Sequence, residues 1–111
     1  MPLRLYIILL GASVLGAAGQ VMFKLGASGR EQLAAYLNGW IFLGFAAYGA
    51  GTILWIYSLS HAKLTLVYPF TALTFVLVYI FGVLCLREPT NIQALSGVAL
   101  VLVGLFVIST A

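Results

Sequence analysis

Charge of either sign is scarce in this sequence. Of 111 residues only 6% are charged, two acidic and five basic, whereas a soluble domain carries about 25%. A water-facing globular surface is therefore excluded. The two acids, Glu31 and Glu88, both fall outside the long apolar runs, so no pair of carboxylates is available for acid–base work. A single cysteine, Cys85, excludes an internal disulfide and reads as a small apolar residue within its run. With a single histidine, His61, in a loop as well, there is no metal-ligand cluster, and no nucleophile triad or glycine-rich phosphate loop accompanies it. The chain reads as a non-enzyme that needs no cofactor or metal. The net charge of +3 comes from scattered basic residues with no run among them, which excludes a nucleic-acid footprint and a polybasic tail.

What the sequence does contain is apolar length. Hydrophobic residues make up 64% of it, in continuous runs without the alternation of a β-barrel strand. The expected fold is all-α, a single four-helix transmembrane domain over residues 1–111. The first span, Leu3 to Gly26, holds no charge between Arg4 and Lys24 and is long enough for a hydrocarbon core of about 30 Å. Arg4 before an apolar run that reaches Ala17, Ala18 and Gly19 has the outline of a signal peptide, but apolar sequence continues through Val21, Met22 and Phe23, so the segment reads as a retained span.

Residues Ala27 to Asn38 read as a loop ending in a short interfacial turn, with Leu33, Tyr36 and Leu37 at helical spacing. Gly39 to Ser60 is the second span, with Tyr36 and Trp40 suited to one membrane boundary and Trp55 and Tyr57 to the other. His61 to Leu64 form so short a link that the second and third spans must be antiparallel neighbours. The third span runs from about Thr65 to Leu86, with Tyr68-Pro69 giving a local reason for irregular backbone near its start. Arg87 to Asn91, containing Pro89, separates it from the last span, Ile92 to Ser109. Basic residues are nearly balanced: Arg4 and Lys63 on one side, Arg30 and Arg87 on the other, with Lys24 added if it reaches that boundary. The balance suits insertion in both orientations and equally a weakly biased single orientation.

Polar residues inside these runs are the candidates for function. Ser13, Gln20 and Lys24 fall within about 40° of one another at 100° per residue, so they share one face of the first helix. Gly16 and Ala17 lie between them and allow a second helix or a substrate to approach closely. An unpaired ammonium in hydrocarbon costs roughly 3 kcal/mol or more, which favours a polar cavity against this face. The plainer reading has Lys24 snorkelling to the boundary and Gln20 bonded to a neighbouring helix. The second span repeats Gly44, Tyr48, Gly51 or Thr52, and Trp55; the third repeats Tyr68, Thr71, Phe75, Tyr79 and Gly82. Such stripes serve packing or a ligand wall, but the hydroxyls of Tyr48, Tyr68 and Thr71 need partners within a membrane. Glu88 is placed to pair with Lys24, or to pair with Arg87 or stay hydrated. Gly97 and Gly104, one heptad apart on the last span, offer a flat face for helix association and are the candidate dimer interface.

The Ala-Gly-Gln-x-x-x-Lys run at Ala18 to Lys24, Tyr68-Pro69 opening the third span, Glu88-Pro89 before the fourth, and Gly97 with Gly104 together resemble the small four-helix members of the drug/metabolite transporter superfamily. The resemblance covers nearly the whole chain. Small multidrug-resistance exporters are similar in length and in the last-helix glycines, but their pattern has a membrane-embedded glutamate at the place occupied here by Gly16. Exchange of a proton for a cationic drug needs that carboxylate. The EamA-type proteins, and in particular the aminoarabinose-undecaprenyl-phosphate flippase subunits, look closer.

The resemblance implies a transporter half in the bacterial or archaeal cytoplasmic (inner) membrane, paired with an antiparallel copy of itself or with a paralogous small membrane protein. It implies a lipid-linked or small-molecule substrate with a phosphate or sugar head, met by Lys24, Gln20, Ser13, Tyr48, Tyr68 and Thr71. Two other readings stay open: a small multidrug or cation exporter, and a membrane assembly subunit that transports nothing.

Overall fold

The computed structural model describes residues 3–29 and 37–111. The expected interfacial turn, with Leu33 and Tyr36, and the charges of Arg30 and Glu31 lie outside the described residues. The described chain is helical, with no strand: α1 is Leu3–Ala27, α2 Gly39–His61, α3 Leu64–Val67, α4 Phe70–Cys85 and α5 Ile92–Ser109. Four segments are long and apolar enough to cross a membrane, α3 and α4 counting together as Leu64–Cys85. The chain is an all-α integral membrane protein.

The division of the third span follows from Pro69. Proline brings no backbone N–H and crowds the preceding turn, and here the ladder tightens around it: the Thr71 N–H donates to the Tyr68 carbonyl at 2.9 Å and the Ala72 N–H to the Pro69 carbonyl at 3.0 Å. These are bonds to the third residue back, the tighter helical turn. Tyr68 and Pro69 keep helical dihedrals, so the axis continues across the break.

Helix starts and stops have local causes. Asn38 caps α2, its side-chain oxygen accepting from the Ile41 N–H at 3.2 Å. Its amide nitrogen also donates to the Gly26 carbonyl at 2.9 Å, tying the start of α2 to the end of α1. Asn91 caps α5 in the same way through the Ala94 N–H at 2.8 Å. Between α4 and α5 the chain reverses at Arg87, which holds a φ of 55°, a left-handed conformation costly for a residue with a Cβ. The reversal lets the Glu88 N–H return to the Gly82 carbonyl at 3.2 Å, and a Tyr79–Thr90 hydroxyl pair fastens the turn to α4.

Lipid tails are as apolar as leucine, so helices in a bilayer associate through close packing and polar contacts. Helix α1 supplies most of that packing. It lies against both α2 and α4, whereas α5 packs mainly on α4. The buried residues of α2 are Gly44, Gly51 and Ser58, one per heptad, and those of α1 include Ala12, Ser13, Gly16, Ala17 and Gly19. The two stripes meet backbone to backbone. A Cβ on Gly19 would stand 2.9 Å from the Gly44 carbonyl oxygen, and one on Gly51 3.0 Å from the Ala12 carbonyl oxygen. Toward one end, Leu9, Val67 and Phe70 form an apolar core backed by Tyr6, Trp55 and Leu59. No residue of α5 is buried. The whole is a slab measuring 46 × 35 × 18 Å, about two helices thick in its thinnest direction.

Candidate functional site

A cleft of about 480 Å³ opens between α1, α2 and the α3–α4 span. From α1 it receives Ala12, Ser13, Gly16 and Gln20; from α2, Tyr48, Gly51, Thr52 and Trp55; from the third span, Tyr68, Thr71 and Thr74. The glycines shape this space. A Cβ on Gly16 would enter it, 3.6 Å from the Thr74 Cγ2, while Gly51 packs on the α1 backbone and Gly19 on that of Tyr48, which holds α1 and α2 together along one wall.

The lining divides by hydrogen-bonding state. Thr52 donates to the Tyr48 carbonyl at 2.9 Å, Thr71 to the Tyr68 carbonyl at 2.9 Å and Thr74 to the Phe70 carbonyl at 3.5 Å. Each spends its proton on its own helix and keeps oxygen lone pairs for the cleft. The buried Ser13 hydroxyl donates across to the Phe70 carbonyl at 3.4 Å, which ties α1 to the first turn of α4. By contrast, the Gln20 amide, the Tyr48 and Tyr68 hydroxyls and the Trp55 indole N–H have no hydrogen-bond partner among the described residues. Trp55 and Tyr68 meet edge to face with centroids 6.4 Å apart. The site therefore offers neutral donors, neutral acceptors and aromatic faces, and among the described residues no charged side chain lines it.

Five of the six residues expected to meet a substrate, Gln20, Ser13, Tyr48, Tyr68 and Thr71, are brought together in this cleft. Lys24 is not a lining residue. It sits exposed in the last turn of α1, one turn beyond Gln20, where a cation also suits the negative end of the helix dipole. The α1 and α4 ends are neighbours, Leu25 and Cys85 sharing one hollow, yet Lys24 and Glu88 form no ion pair within 4.0 Å among the described residues. Glu88 instead folds back, its Oε1 3.2 Å from where a Cβ on Gly82 would be. At Gly97 and Gly104 a Cβ would meet nothing within 4 Å among the described residues.

Thr74 is the polar lining residue that sequence spacing passes over, and Ala12 the apolar one. The stripe Tyr68, Thr71, Phe75, Tyr79 leaves the cleft after Thr71, with Phe75 exposed and Tyr79 engaged at Thr90. Tyr68, Thr71 and Thr74 recur every three residues, a step that one helix face allows as readily as four. Trp55, suited by sequence to a membrane boundary as well as to the stripe, faces the cleft.

The family model described as the EamA-like transporter family matches residues 3–110. A protein of Pseudomonas savastanoi pv. phaseolicola, named a probable 4-amino-4-deoxy-L-arabinose-phosphoundecaprenol flippase subunit ArnE, is 33% identical over 106 residues, covering 91% of this chain and 93% of the relative. Proteins of the same name from Klebsiella pneumoniae and Yersinia pestis are 29% and 32% identical, over 98% and 94% of this chain and 99% and 95% of their own. No solved structure matches the chain.

Proposed function

The chain belongs to the EamA-like transporter family, and from that membership we propose that it forms one half of a unit translocating a lipid with a hydroxyl-rich head across the bacterial inner membrane. The observation that carries this reading is the set of unpartnered donors at membrane depth. Gln20, Tyr48, Tyr68 and Trp55 turn four polar groups without a partner among the described residues toward one open space, and any of them that hydrocarbon shuts off from water costs about 1–3 kcal/mol until something bonds it. A sugar hydroxyl, both donor and acceptor, satisfies them and the threonine lone pairs together. Aromatic faces such as Trp55 and Tyr68 suit the apolar face of a pyranose ring and attract an ammonium without a carboxylate. The relatives' printed name, which specifies an aminosugar linked through phosphate to undecaprenol, supports a substrate of that class.

Gln20 and Tyr48 contact the head at the end of the cleft nearest Lys24, and Tyr68 and Thr71 at the other. Ser13 acts by fixing α1 against α4 through Phe70. Lys24, above the cleft, meets the substrate phosphate as the head passes the α1 end. A cation exporter driven by proton exchange fits less well, because no carboxylate lines the cleft among the described residues.

Alternating access commonly uses two repeats around a shared site, and one four-span chain holds a single layer. A second copy in opposite orientation or a paralogous small protein closes the open cleft, with Gly97 and Gly104 in the contact. The test is head-group flipping in proteoliposomes containing a fluorescent polyprenyl-phosphate sugar. Gln20→Ala is expected to slow it about tenfold, the equivalent of roughly 1.4 kcal/mol, with unchanged helicity. Full activity in both Gln20→Ala and Lys24→Ala rejects the cleft as the route.

A further inference from the structure

A second hollow, of about 570 Å³, lies at the end of the bundle where α2 stops and α5 finishes, lined by His61, Ala62, Lys63, Thr65, Leu66, Ile108 and Ala111. We propose that it is a binding site for the phosphate head of an anionic membrane lipid, distinct from the translocation cleft. The chemistry of the lining is two-sided. Lys63 and Thr65 provide a cation and a hydroxyl, while Leu66 and Ile108 provide an aliphatic wall, the combination that a lipid phosphate and the first carbons of its chains require.

Lys63 makes no ion pair among the described residues. The one acidic side chain described, Glu88, lies at the opposite end of the bundle in the α4–α5 turn. The exposed Arg4, at the start of α1, belongs by topology to the same end as Lys63. Arg4 and Lys63 leave that end with a net positive charge among the described residues even when the main-chain carboxylate of Ala111, at the hollow, is counted.

His61 is oriented by its neighbours. The Ser60 hydroxyl donates to the Tyr57 carbonyl at 2.6 Å, so the His61 Nδ1, 2.8 Å from Ser60 Oγ and 3.0 Å from that carbonyl, must carry a proton and donate. Nε2 is then the ring nitrogen left for a ligand. The ring also rests on Tyr57, centroids 4.4 Å apart, which holds it beside the hollow. A soluble anion has no use for the Leu66–Ile108 wall, and a zwitterionic lipid brings its own cation to a cationic site. Both are therefore poorer ligands than a lipid of net negative charge.

Native mass spectrometry of the full chain with short-chain phosphatidylglycerol and phosphatidylcholine tests this. Phosphatidylglycerol is expected to bind about fivefold more tightly, the contribution of one basic residue at an anionic surface. Lys63→Ala and Lys63→Gln should abolish the preference and Lys63→Arg keep it, while Arg87→Gly, which removes a charge at the other end, leaves it intact. Equal binding of the two lipids, an unaltered preference in the Lys63 variants, or an equal loss in Arg87→Gly overturns the site. Displacement by excess inorganic phosphate refutes the lipid as occupant. The preference does not depend on head-group flipping, so Gln20→Ala should retain it, and the two sites fail independently.

Discussion

Replacing Gly19 with alanine should loosen the whole α1–α2 contact and with it the cleft. The new Cβ would stand 2.9 Å from the Gly44 carbonyl oxygen and 3.1 Å from both the backbone nitrogen and the Cβ of Tyr48. Carbon pairs are most stable at about 3.5–4.0 Å. All three obstacles belong to the backbone or its first side-chain atom, so no rotamer change relieves them and the helices must part. Overpacking of this kind costs about 1–3 kcal/mol. Alanine's helix propensity offsets at most about 1 kcal/mol of it, and less in a membrane, where the dissociated span stays helical. Gly49→Ala is the matched control, because its Cβ would meet nothing within 4 Å and it changes propensity by the same amount. Both tryptophans, Trp40 and Trp55, are on α2, so intrinsic fluorescence during SDS titration at fixed protein concentration reports separation of that helix. Gly19→Ala should unfold at a clearly lower SDS fraction than Gly49→Ala. Coincident transitions would refute the backbone-to-backbone seam, and with it the account of how α1 and α2 are held together along one wall of the cleft.

Further expectations follow from the caps, the turn and the open face. Asn38→Ala removes both the Ile41 cap and the bond to Gly26, and should cost about 1–2 kcal/mol in the same titration. Asn38→Asp keeps the cap but loses the donor to Gly26, so its stability should fall between alanine and wild type; equality with alanine would mean that the cap contributes nothing. Arg87→Gly relieves a left-handed φ of 55° and should raise stability by up to about 1 kcal/mol after the greater freedom of glycine in the unfolded chain is deducted, read as a higher thermal midpoint in detergent. A lower midpoint would show that the Arg87 side chain contributes more than its backbone costs. Cysteines at Gly97 or Gly104 in a Cys85→Ser background should crosslink two chains in native membranes, and a failure at both positions would move the proposed partner contact off α5.

Much of this molecule is legible in one dimension. Apolar length specifies the four spans, because a backbone in hydrocarbon must satisfy its own hydrogen bonds. Tyr68-Pro69 marks the break that separates α3 from α4, because a missing N–H is a local defect. Helical periodicity also puts Ser13 and Gln20 on one face of α1, and both line the cleft.

What periodicity yields is an angle about one helix axis, and the partner of that face is a matter of tertiary packing. Nothing in the spacing separates Gly19, locked against Gly44, from Gly97 and Gly104, where a Cβ would meet nothing within 4 Å among the described residues, since glycine has no side chain to bias a face. Ser13 and Gln20 look alike as polar residues in an apolar run, but the packing of α1 on α4 gives Ser13 a carbonyl and leaves the Gln20 amide facing the cleft. Depth likewise leaves Lys24 one turn beyond the lining, and the packing of α4 on α1 presents Thr74 to the cleft and leaves Phe75 exposed. Composition and period determined that four helices cross a bilayer with polar groups among them; the distances between their backbones decided which of those groups remain free to hold a substrate.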